Sequence, residues 1–167
     1  VYRCENCKHI QNSEYVNPKL LWKDYTYLSS QSQMLIDHLK DVSKTVIKKY
    51  RLSTKDLVVD IGSNDGTFLK NFKNKKIKIF GVDPAKNVAK IANKNGIRTI
   101  ASPINKKSVN KIIKKSGKAK IVLAFNVFAH NDNMNDFVRC VNDLLAKDSY
   151  FVFEAQYLRD IYKKKIL

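Results

Sequence analysis

The residues best suited to chemistry run Val59-Asp60-Ile61-Gly62-Ser63-Asn64-Asp65-Gly66-Thr67. Glycines at 62 and 66 suit a chain that must turn sharply and let a ligand approach its backbone. A helix opening at Thr67 would offer that ligand free N–H groups. A dinucleotide site wants Gly-x-Gly-x-x-Gly, so that backbone can touch a pyrophosphate. Here the order is Gly62, Asn64, Gly66, with carboxylates at Asp60 and Asp65 that would repel a pyrophosphate. They suit a ligand with a cationic amino-acid end and a ribose. Asn64 tolerates a left-handed backbone, so it is a mild replacement for a middle glycine. Asp60, Gly62, Ser63, Asn64, Asp65 and Gly66 are therefore candidate ligand contacts.

Other reactive residues fall at matching places. Asp83 lies 21 positions beyond Gly62, in Gly81-Val82-Asp83-Pro84. An acidic residue at that offset can accept hydrogen bonds from both ribose hydroxyls. An Asp before Pro is also a common helix cap; after this turn the ribose role, with Pro84 beside it, is the favoured reading. Asn126-Val127-Phe128-Ala129-His130 offers Phe128 to pack on a ligand, and Asn126 or His130 to hydrogen-bond to it or to a substrate. His130 is read either as structural or as a general base. Trp22, Tyr25 and Tyr27 either line a polar pocket or glue an N-terminal arm to the core. Cys4 and Cys7 form a Cys-x-x-Cys pair, half of a zinc knuckle, flanked by Tyr2 and Tyr15; the stretch is expected to be loose. Cys140 reads as a small core residue.

The elements that must position these residues alternate regularly. Strands are predicted at 57–61, 77–82, 97–100, 121–125 and 150–154, and helices at 66–73, 85–94, 106–115 and 133–146 with a helical tail from Tyr157. Ser29, Ser30 or Ser32 caps a preceding helix whose apolar stripe is Leu35, Leu39, Val42 and Val46. This pattern predicts an α/β fold, a Rossmann-like parallel sheet with helices on both faces. Asp60, Asp83, Asn126 and Glu154 then all end strands, where such sheets bind ligands.

Composition narrows the class. The 167 residues suit one domain plus a small appendage, and no apolar run or leader-like start indicates a membrane span or secretion, so a cytoplasmic enzyme is expected. A net charge of +17 invites a nucleic-acid reading. The cations are mostly Lys, spread over 70–78, 106–120 and 163–165 on faces opposite the apolar positions, so solvated helix surface is the favoured account.

The ligand described by the carboxylates matches S-adenosylmethionine (SAM), and Asp-x-Gly-x-Asn-Asp-Gly resembles the first motif of SAM-dependent methyltransferases. The chain as a whole resembles the sugar C-methyltransferases, which methylate carbon in nucleotide-linked deoxy-keto-sugars. The likeness rests on Cys4-Glu-Asn-Cys7 with His9-Ile10-Gln11, on Tyr25-Thr-Tyr27-Leu-Ser29-Ser30-Gln-Ser32, and on Asp60 to Thr67. It continues through Gly81-Val-Asp83-Pro84, Asn126-Val-Phe-Ala-His130 and Phe153-Glu154 with Tyr157-Leu158. The resemblance implies a class I methyltransferase sheet in the order 3-2-1-4-5 behind a zinc-binding N-terminal domain. It implies three parts: 1–28 as zinc-domain remnant and aromatic arm, 29–54 as leading helix, and 55–167 as the SAM-binding domain, truncated at its C-terminus.

By the same resemblance, Cys4 and Cys7 belong to a zinc site completed in a longer parent protein. His130, Tyr25 and Tyr27 face a nucleotide-linked keto-sugar, while the presumed base, in a His-Glu-His segment, is absent. Ala155-Gln156 stands where the family usually has Val-Pro. The chain alone is thus expected to bind SAM without turning over a sugar, and strand 150–154 to be an apolar edge prone to dimerisation or aggregation. Two other readings remain at this point: an RNA or protein methyltransferase, and a non-enzymatic module binding zinc and nucleic acid.

Overall fold

The computed structural model describes residues 2–14, 16–22 and 25–165. Tyr15 and the last two residues of the helical tail lie outside them. The chain opens with a hairpin of β1 (Tyr2–Arg3) and β2 (Ile10–Gln11), followed by a short helix, α1 (Pro18–Leu21). The stretch expected to be loose is therefore folded locally: the Cys4 N–H donates to the His9 carbonyl at 2.8 Å and closes a turn around the cysteine pair.

A 3₁₀ turn at Ser29–Gln31 leads to α2 (Gln33–Lys49), capped by the Ser32 hydroxyl, which accepts from the Leu35 N–H at 3.3 Å. Then come β3 (Leu57–Ile61), α3 (Thr67–Lys73), β4 (Lys78–Asp83), α4 (Lys86–Lys94), β5 (Thr99–Ala101) and α5 (Lys106–Ser116). β6 (Ala119–Phe125), a 3₁₀ turn at Phe128–His130, α6 (Met134–Leu144), β7 (Leu145–Glu154) and α7 (Leu158–Lys164) complete the chain. The strands pair in parallel in the order β5-β4-β3-β6-β7, the order the family resemblance implies.

Alternation along the strands explains the two layers of helix. Leu57, Val59, Ile61, Val122 and Ala124 face Val109 and Ile112 of α5 and Phe137, Val141 and Leu144 of α6. Val58, Ile121 and Leu123 point the other way, onto Leu39 and Val46 of α2 and Phe68, Leu69 and Phe72 of α3. Because β3 is buried on both faces it reads as an unbroken apolar run interrupted only by Asp60. β7 begins earlier than predicted. It starts directly from α6 and bulges between its Leu145 and Tyr150 pairings, with Asp148 at φ +57°. As the outer strand it leaves Tyr150 and Phe153 about half exposed. Among the described residues no helix is long and apolar enough to cross a membrane.

Candidate functional site

A cavity of about 860 Å³ opens at the C-terminal ends of β3, β4 and β6. Its walls include Asp60, Gly62, Ser63, Asn64, Asp83, Pro84, Asn126, Val127 and His130, with Trp22, Tyr25 and Tyr27 from the arm. Most of the predicted contacts thus meet in one place.

The floor is the turn between β3 and α3. Gly62, Asn64 and Gly66 have φ of +75°, +49° and +83°, conformations that favour glycine and that asparagine tolerates. The glycines serve the protein's own packing as well, while Gly62 still lines the cavity. A Cβ on Gly62 would lie 2.3 Å from Val127 Cγ2, and one on Gly66 would lie 2.8 Å from Ile97 Cγ2. The Gly62 N–H is also occupied, donating to the Val82 carbonyl at 2.7 Å. The Ser63 hydroxyl is buried without a hydrogen-bond partner.

Asp83 is 6 % exposed and holds this turn in place. One carboxylate oxygen accepts from the Asn64 N–H and the other from the Ala85 N–H, each at 2.8 Å. The cap reading is not met, because the cap position of α4 is Ala85 and takes no side-chain bond; Asp83 instead braces the turn ahead of the helix and faces the cavity. Burial raises its pKa, against the lowering by those two backbone bonds. Asp60 is 3 % exposed and lines the cavity beside Asp83. Burial, reinforced by the neighbouring Asp83 charge, lifts it well above the usual carboxylate range. Two buried carboxylates facing one cavity fit a ligand with an ammonium group and hydroxyls. SAM has both.

Asn64 and Asp65 have a use that the sequence reading missed: they grip the arm. Asn64 Oδ1 accepts from the Ser29 N–H at 3.1 Å, and its Nδ2 donates to the Tyr27 carbonyl at 3.0 Å. Asp65 accepts from the Ser30 N–H at 3.0 Å and from the Thr67 hydroxyl at 2.7 Å, and its side chain faces away from the main cavity. Although burial opposes it, those bonds lower the Asp65 pKa. Asn87, which no sequence signal marked beyond its place in the first turn of a helix, exchanges hydrogen bonds with the Tyr25 backbone at 2.7 and 3.3 Å. Tyr25 packs against Trp22 with ring centroids 5.4 Å apart. Burial first, then the Asp83 and Tyr27 charges, raise the Tyr25 phenol. Both sequence readings of the aromatics hold, since they line the cavity and fasten the arm.

Phe128 is a correction. Its ring packs on Phe137, Phe151 and Phe153 at 5.3–6.0 Å, within an aromatic cluster rather than on the cavity wall. Gly66 also lies off the main cavity, covered by Ile97. At the far lip Asn126 donates to Glu154, which in turn meets His38, a residue the sequence did not single out. Cys140 is half-buried on α6 beside the core, where burial and then the Asp143 and Asp136 charges raise its thiol pKa.

Cys4 and Cys7 are exposed at the tip of the hairpin. Backbone N–H groups of Cys7 and then Asn6, with a bond from the Cys7 thiol, lower the Cys4 pKa, which suits a metal-binding thiolate. A structural zinc ion takes four donors. Among the described residues no group of three or more candidate ligands exists, so the pair alone does not fit zinc.

Residues 32–166 match a family described as a methyltransferase domain. The chain is 31 % identical over 160 residues to the C-methyltransferase NovU of Streptomyces niveus, covering 96 % of this chain and 38 % of that protein. It thus spans well under half the length of that curated relative. Among solved structures, the plantazolicin methyltransferase BpumL, crystallised with a triazolic desmethylPZN analog and SAH, superposes with a TM-score of 0.61 at 17 % identity, over 81 % of this chain and 52 % of that one. A SAM-dependent methyltransferase from Clostridium acetobutylicum gives 0.59 at 16 % identity, over 77 % and 54 % respectively. At such identities these structures share the fold.

Proposed function

This chain belongs to the methyltransferase domain family, and from that premise we propose that it is the SAM-binding part of a carbon methyltransferase acting on a nucleotide-linked deoxy-keto-sugar. The observation that carries the cofactor reading is the pair of buried carboxylates, Asp60 and Asp83, that both line one cavity walled by the predicted residues. The carbon-methylation reading is supported by the 31 % identity to the C-methyltransferase NovU, and the sugar reading by the Tyr25-Thr-Tyr27 and Asn126 to His130 segments.

When bound, SAM supplies an electrophilic methyl group. Asp83 offers its remaining lone pairs to the ribose hydroxyls, and Asp60 neutralises the ammonium. Pro84 and Val127 contribute apolar wall. Tyr25, Tyr27 and His130 are the groups placed to hold a substrate oxygen or take up a proton. The carbon beside a keto group is acidified by it, and a base that removes its proton frees that carbon for attack. Hydrogen-bond donors such as the tyrosine hydroxyls would stabilise the enolate that results.

Calorimetric titration with SAH separates the cofactor reading from its rivals. Wild type should bind, and Asp83→Ala should lose about 1.5–3 kcal/mol, the worth of charge-assisted hydrogen bonds. Equal affinity in the two proteins would remove Asp83 from the site. Methyl transfer to RNA, with none to a keto-sugar nucleotide in the presence of the remainder of the enzyme, would overturn the substrate reading.

A further inference from the structure

The exit of β6 is held by a three-residue network that spans the sheet edge and α2. Asn126 sits in the left-handed region, at φ +55°. Its backbone N–H donates to the Glu154 carbonyl and its side-chain Nδ2 to Glu154 Oε1, both at 2.9 Å. The other carboxylate oxygen, Oε2, lies 2.7 Å from His38 Nε2. A carboxylate can only accept, so this imidazole carries its hydrogen on Nε2. Both oxygens of Glu154 are thus committed, which fixes the plane of the carboxylate. Each contact is charge-assisted, and 2.7 Å is the length expected of such a bond.

What the network orients is a wall of the cavity. Directly after Asn126 comes Val127, whose methyl group fills the space where a Gly62 side chain would be. The Val127 carbonyl then accepts from the His130 N–H at 3.0 Å and from Asn131 Nδ2 at 2.8 Å. The direction taken by the chain at Asn126 therefore sets where Val127 and His130 stand. A non-glycine residue in a left-handed conformation needs its surroundings to hold it there. Glu154 is the holder, and His38 steadies Glu154.

Resting on the cofactor reading above, we propose that Glu154 and His38 are positioning residues: the pair holds the Asn126 turn in the register that shapes the cofactor site. A merely structural pair, joining α2 to β7, would affect melting temperature alone. The test combines SAH titration with amide NMR shifts of residues 127–131 in the ligand-free protein. Glu154→Ala should weaken SAH about 10-fold and move those amide signals. Glu154→Gln should stay within about twofold of wild type, because Asn126 can still donate to the amide oxygen and the His38 ring can change tautomer. His38→Leu cuts only the outer contact of an exposed residue and so keeps the fold if Glu154→Ala does not; a three- to fivefold loss is expected, restored by His38→Gln. Unmoved 127–131 signals in His38→Leu and Glu154→Ala, or SAH affinity unchanged with only the melting temperature lowered, would overturn the proposal. If wild type itself does not bind SAH, the cofactor reading fails, while the NMR shifts still decide whether the pair positions the turn.

Discussion

Two turns flank the cavity, one after β3 and one after β6, and each hinges on an asparagine with positive φ: Asn64 at +49° and Asn126 at +55°. Their side chains are held differently. Asn64 is 8 % exposed, and its amide bonds backbone groups of the arm. Asn126 is exposed, and its amide bonds one side chain, Glu154, that depends in turn on another. Backbone partners cannot rotate away, so the first turn is rigid. Beyond the Asn126 N–H bond to the Glu154 carbonyl, the second turn relies on side-chain partners, so it is the less firmly held.

If that contrast is right, damage to the first turn should cost most. Gly62→Ala places a methyl group against Val127 in a backbone conformation alanine resists. Overpacking and strain together should destabilise by about 2–4 kcal/mol, read from urea unfolding. A loss below about 1 kcal/mol would mean that the two turns are equally yielding. Asn64→Ala removes both arm contacts and the residue's tolerance of positive φ. About 1–3 kcal/mol should be lost, with the arm around Tyr27 becoming the first site of limited proteolysis.

Beneath that turn, Asp60→Asn should act in the opposite direction. Its carboxyl pKa is raised in the folded protein, so the native state holds the proton more tightly than the unfolded chain. This contribution favours folding below the ordinary carboxylate range and is lost as pH rises through the raised value. The amide removes that slope. At neutral pH the ligand-free variant should melt about 2–4 °C higher, for about 1 kcal/mol in a domain of this size, and bind SAH more weakly. A lower melting point would show that Asp60 is already paired. Asn126→Gly should be the mildest, because glycine adopts the same backbone freely; unfolding free energy should change by less than about 0.5–1 kcal/mol. A loss as large as that of Asn64→Ala would erase the distinction between the turns.

The strand order came from the family resemblance; the alternation of strand and helix was legible because short apolar runs and amphipathic stretches follow one another cleanly. The reason for the glycines was not, since Val127 fills the space beside Gly62 from 65 positions away. Phe128 looked like a ligand contact because nothing in the local sequence reveals the three phenylalanines that surround it. His38 and Glu154 are 116 positions apart and carry no mutual spacing signal. The early start of β7 was hidden because Leu144-Leu145 continues the apolar rhythm of α6 straight into the strand. Cys4 and Cys7 were seen as a pair, but their closed turn depends on main-chain bonds that composition does not announce.

The grip on the arm also sets an order of events during synthesis. Asn64 and Asp65 lie 35 positions after the Ser29 and Ser30 amides they hold, and Asn87 lies 62 positions after Tyr25. At translation rates of roughly 5–20 residues per second, the arm leaves the ribosome about 2–12 seconds before its fasteners. Until then Trp22, Tyr25 and Tyr27 have no floor to rest on. The arm is made before the turn that holds it, so it is among the last parts of the fold to find its place, and its aromatics stay unfastened until that turn exists.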